Sequence, residues 1–180
     1  HLVSIDKKIK FPKTLKIKIP KGIFAFFSPL FQPALFLLGL LAGTAGLFYF
    51  FYDLPAIFQM ARPYFSFPFI GLYIIIYILT TTFHELGHGA AIHYCGFEPE
   101  AMHIRRSNDF LLLHFSLPFI AYAPGRKITM AMKLKTLLGG LYFDLLLLAL
   151  GVLFFLLQGG HLLKLSSVFL MFTSLARMLL

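Results

Sequence analysis

His84, Glu85 and His88 stand in the order H-E-L-G-H, within the longer run T-T-T-F-H-E-L-G-H-G-A-A-I-H from Thr80 to His93. Successive residues of an α-helix advance by about 100°, so positions 84 and 88 fall about 40° apart on one face. Two imidazoles so placed can bind one metal ion from a single turn, and a carboxylate beside the first can reach the attacking water. The chemistry this predicts is metal-assisted hydrolysis, with His84 and His88 as ligands of Zn2+ and Glu85 as general base. His93 is excluded as a third ligand, because nine residues beyond His84 turn it about 180° round the helix.

The motif lies in the C-terminal third of an apolar run, Phe69 to Tyr94. Three further runs, Ala34–Tyr52, Thr136–Leu157 and Leu162–Leu180, are also long enough to cross a hydrocarbon core of about 30 Å. The expected fold is therefore an all-α membrane protein with about four transmembrane helices. Between spans two and three, Phe110–Tyr122 is apolar but too short to span, and Pro118 interrupts it. That pattern suits a short interfacial or re-entrant β-like segment. At bilayer depth two imidazoles and a carboxylate are costly unless they serve a site, and this strengthens the metal reading.

Composition agrees with the spans. The 180 residues are 59% hydrophobic and only 13% charged, where an ordinary soluble domain is about a quarter charged. Sixteen Lys and Arg against seven Asp and Glu give a net charge of +9. These cations gather at segment ends and in the connections, which points to anionic lipid head groups rather than nucleic acid. Cys95 is the only cysteine, so no intrachain disulfide can form.

Residues 1–28 form a basic arm with seven lysines, in which Leu15–Pro20 alternates apolar and basic as a half-buried strand does. Residues 29–180 form the transmembrane domain. Within it, Gly39, Gly43 and Gly46 offer a face on which another helix can pack closely. Asp53 and Pro55 end the first span, and a turn runs from Asp53 to Pro68. Thr80, Thr81 and Thr82 can bond back to helix carbonyls or line a polar cavity. Gly87 and Gly89 each cost about 1 kcal/mol of helix propensity, which suits a close approach by another backbone or a substrate. Asp144, inside the third span, is an intramembrane carboxylate and hence a candidate functional group. His103 and His114 lie in the charged connection Cys95–Lys135 and are weaker ligand candidates. Lysine and arginine concentrate in the arm and in that connection, so the positive-inside rule places both in the cytoplasm.

An H-E-L-G-H late in a membrane helix, followed by a basic connection with a short apolar dip, resembles the site-2 protease family of intramembrane zinc metalloproteases. The bacterial peptide zinc metalloprotease branch is the nearer likeness. The resemblance covers roughly Ile70 to Leu180; Pro118-x-x-x-Tyr122 and the Gly139-Gly140-led third span are its looser echoes. It implies a zinc endopeptidase of the bacterial cytoplasmic membrane, acting on a membrane protein or membrane-associated peptide. It also implies a third zinc ligand, an Asp in a D-G motif after the later spans. No D-G occurs in this sequence. The expected place for it is beyond residue 180, and Asp144 is the alternative within the chain. The competing functional reading is a non-proteolytic accessory protein of a peptide-export system, with a vestigial or structural metal site.

Overall fold

The computed structural model describes residues 15–17, 20–64, 69–99, 102–104, 129–157 and 160–179. The chain divides into two units, one made of His1–Ile19 with Glu100–Ala121, the other of Pro20–Pro99 with Tyr122–Leu180. In the first, β1 (Leu15–Ile17) pairs antiparallel with β2 (Met102–Ile104), and Lys16 stands opposite His103. The alternating arm thus contributes a strand of three residues. The re-entrant segment expected at Phe110–Tyr122, with His114, lies outside the described residues.

The second unit is helical: α1 (Lys21–Phe27) and a 3-10 turn (Ser28–Phe31), α2 (Pro33–Tyr52), α3 (Leu54–Ala61), α4 (Ile70–Tyr94), α5 (Met130–Leu156) and α6 (His161–Leu179). Helices α2, α4, α5 and α6 are long and apolar enough to cross a membrane. They match the four expected spans, and the fold is that of an all-α membrane protein. Outward side chains such as Phe48 (73% exposed), Leu137 (73%) and Leu162 (70%) give these helices a surface suited to lipid and ill suited to water.

Three local features differ from the sequence expectation. Helix α1 forms within the stretch read as arm. Helix α3 forms where a turn was expected, because Pro55 sits in its first turn, where the missing N–H has no intrahelical partner to lose. Helix α5 starts at Met130 rather than near Thr136, since Thr129 caps it by accepting from the Met132 amide at 3.3 Å. Lys133 and Lys135 are therefore helical, and Lys135 Nζ lies 5.0 Å from the centre of the Tyr94 ring.

Helix α5 is the hub, packing on α2, α4 and α6. Gly39, Gly43 and Gly46 of α2 are buried against it, where Cβ atoms would strike Tyr142, Leu145 and Ala149. An apolar core of Phe50, Ile57, Ala61, Leu148, Val152, Val168 and Met171 then joins α2, α3, α5 and α6. On the α4 side, Gly87 and Gly139 cross backbone to backbone: a Cβ on Gly139 would lie 2.6 Å from the Gly87 carbonyl oxygen. That crossing brings the middle of α5 against His84 and His88.

Candidate metal centre

Both motif histidines are anchored at Nδ1. His84 donates from Nδ1 to Asp144 Oδ2 at 2.6 Å, and His88 donates from Nδ1 to the Thr136 carbonyl at 2.6 Å. A carboxylate and a carbonyl only accept, so each ring carries a proton at Nδ1, and the neutral ring leaves a lone pair on Nε2. The two Nε2 atoms face each other at 3.1 Å. With both rings neutral the two lone pairs repel, and a cation between them, a metal ion or one shared proton, removes the conflict. Nitrogens bound at about 2.0–2.1 Å to a tetrahedral zinc ion stand about 3.3 Å apart, close to the observed spacing.

Gly140 shapes the space in front of this pair. A Cβ there would strike His84 Nε2 and lie 2.6 Å from His88 Nε2. The missing side chain keeps open the volume on which both lone pairs converge. Glu85 completes the group: one donor atom from each of His84, Glu85 and His88 lies within 4.8 Å of the others. Such a span leaves room for a water between carboxylate and metal. Two anchored imidazoles, a cleared cradle and an adjacent carboxylate fit a zinc ion.

The structure places the other sequence candidates less centrally. Asp144 is fully buried and sits behind His84. From there it orients the ring, whereas a ligand would have to stand on the Nε2 side. His93 is not in the group; Glu98, beyond the end of that helix, is ion-paired to Lys21 at 2.6 Å and held below the usual carboxylate range chiefly by that partner. Among the described residues, no further His, Cys, Asp or Glu joins His84, Glu85 and His88. Thr80 Oγ1 bonds back to the Tyr77 carbonyl at 3.0 Å and Thr82 Oγ1 to the Ile78 carbonyl at 2.8 Å. Thr81 Oγ1 is buried without a partner, so of the three it alone still has a donor proton to spare for a polar cavity.

Sequence reasoning missed Arg177. From the last turn of α6 its Nε lies 3.2 Å from Asp144 Oδ1, an ion pair whose N–H is not aligned as a hydrogen bond. The signal was available, because an arginine and an aspartate inside separate apolar spans are each expected to find a partner.

Aromatic rings close the neighbouring wall. Phe24 of α1 covers Gly89, and Phe27 meets Phe83 and Phe143 edge-on, with ring centres 6.0 and 5.7 Å away. The close approach expected at Gly89 is therefore made by a side chain of α1, and that at Gly87 by the backbone of α5. Comparison of the chain with protein-family models, with curated proteins and with solved structures finds no match.

Proposed function

We propose that the chain is a zinc-dependent, membrane-embedded endopeptidase that hydrolyses a peptide bond in a membrane protein or membrane-associated peptide. The observation that carries this reading is the convergence of two Nδ1-anchored imidazoles beside a carboxylate, on helices able to cross a membrane. The residues that would hold zinc are His84 and His88, and the resemblance to site-2 proteases supplies the expectation of a third ligand outside the described residues.

When bound, zinc supplies a Lewis acid for the scissile carbonyl and brings the pKa of a coordinated water to about 7. Glu85 takes the proton of the attacking water and returns it to the leaving amine. Asp144 and the Thr136 carbonyl keep the two rings turned towards a common point. The apolar wall of Phe24, Phe27, Phe83 and Phe143 limits bulk water there, which strengthens every charge interaction inside.

A base is useful to a hydrolase and useless to a structural site. Glu85→Gln in the full chain is therefore expected to keep zinc at parental stoichiometry while cleavage of a membrane-tethered reporter falls at least 100-fold. Undiminished cleavage by that variant would refute the assignment. The second reading, a non-proteolytic accessory protein with a structural or vestigial metal, draws on the two-histidine ligand set among the described residues. It is favoured if the parent chain binds zinc and cleaves nothing.

A further inference from the structure

The geometry points to Arg177 as a positioning residue of the metal centre, holding one oxygen of Asp144 from α6 so that the other stays on His84 Nδ1. This rests on the metal reading above. Asp144 has no exposed surface, and its two oxygens face two different partners, His84 at 2.6 Å and Arg177 at 3.2 Å. A carboxylate gripped at one end alone can swing about its χ2 axis. With a cation drawing the other oxygen, it favours one acceptor direction towards the imidazole. The side chain of Arg177 is itself only 12% exposed. A cation so buried in a membrane bundle is strongly destabilising unless an anion offsets it, and Asp144 is that anion.

A plain alternative is that the pair merely staples α5 to α6. Those helices do not need it. Gly151 of α5 lies under Met171 and Ser167 of α6, and Leu148, Val152, Val168 and Met171 bury the seam between them. The apolar contacts dock α6, and Arg177 stands at its C-terminal end. The three groups form a relay of contacts, His84–Asp144–Arg177, that ties α4, α5 and α6 at the site.

The test uses the full chain in lipid nanodiscs, with zinc affinity read by competition against a chromophoric chelator. The absorption bands of the Co2+-substituted protein serve as a second readout of ligand geometry. Arg177→Gln is expected to weaken zinc by 10- to 100-fold and to shift the cobalt bands as Asp144→Asn does. Arg177→Lys, which keeps the charge, is expected to retain most of the affinity. In the Asp144→Asn background, where Arg177→Gln also removes the cation left unpaired, that second substitution is expected to change affinity by less than twofold, because Arg177 acts through Asp144. Leu148→Ala, which loosens the seam without touching the relay, is expected to keep parental affinity and spectrum.

Parental zinc affinity in Arg177→Gln, multiplied losses in the double variant, or an equal loss in Leu148→Ala would each overturn the inference. The reading beneath it has its own control. If the parent holds no zinc, or holds it unchanged after His84→Ala and His88→Ala, the metal site itself falls. If the parent binds through both histidines and Arg177 proves indifferent, only the relay falls.

Discussion

Helix α5 has two working sides, and glycine serves them differently. Towards α2, the glycines belong to the partner helix, and Gly39, Gly43 and Gly46 let Tyr142, Leu145 and Ala149 lie directly on its backbone. The side chains nearest those glycines carry no charge, and Tyr142 turns its hydroxyl to the carbonyls of Leu30 and Leu35, at 3.3 and 3.2 Å. Towards α4, the glycines are on both helices, and the contact they allow is surrounded by His84, His88, Asp144 and Arg177. One side uses the absence of a side chain to fill space. The other uses it at Gly140 to leave space, and only the second is a place for chemistry.

The sharpest way to break that contrast is Gly140→Ala. Its methyl falls on the point both Nε2 atoms face, and the rings cannot retreat without leaving Asp144 or the Thr136 carbonyl. Zinc affinity is expected to drop at least 100-fold while the helical circular-dichroism spectrum persists; parental affinity would show that the cradle is not the metal's place. Asp144→Asn is expected to cost less, 10- to 100-fold in zinc affinity by the same chelator competition, because the ring keeps a hydrogen bond of lower strength. Gly43→Ala probes the other side. Its methyl would meet Leu145 Cβ at 2.7 Å, so thermal unfolding should show a loss of about 1–3 kcal/mol with zinc affinity unchanged. A zinc defect in Gly43→Ala would mean that the two sides are not separable.

The smallest effect is expected away from both sides, at the Lys21–Glu98 pair, each partner of which is 70% exposed. Lys21 lowers the Glu98 carboxyl below its ordinary 4.5. A carboxyl depressed in the fold contributes stability above its unfolded value, and the contribution is lost as the pH falls through the folded value. Solvent and salt screen so open a pair, so Lys21→Gln should leave the melting temperature at neutral pH within experimental error.

What the sequence disclosed, and what it hid, follows from the range of each interaction. The spans were legible because length and apolarity are local: Ala34–Tyr52 became Pro33–Tyr52, and Phe69–Tyr94 became Ile70–Tyr94. The meeting of His84 and His88 was legible because four residues of helix bring them together. Helix α3 was hidden because Asp53 and Pro55, read as stops, are equally good starts. The anchors were hidden for a deeper reason: Asp144 lies 60 residues from His84, and which oxygen meets which nitrogen depends on how α4 and α5 cross. Arg177 needed a further crossing again, that of α6 on α5.

The Thr136 carbonyl that fastens His88 belongs to the main chain, and no exchange of side chain at position 136 can delete it. His84 is fastened by a group that mutation can replace. A single substitution that retunes one of the two anchors, whether in the laboratory or over generations, must therefore act on the Asp144 arm. The His88 half stays constant for as long as α5 remains helical at that point.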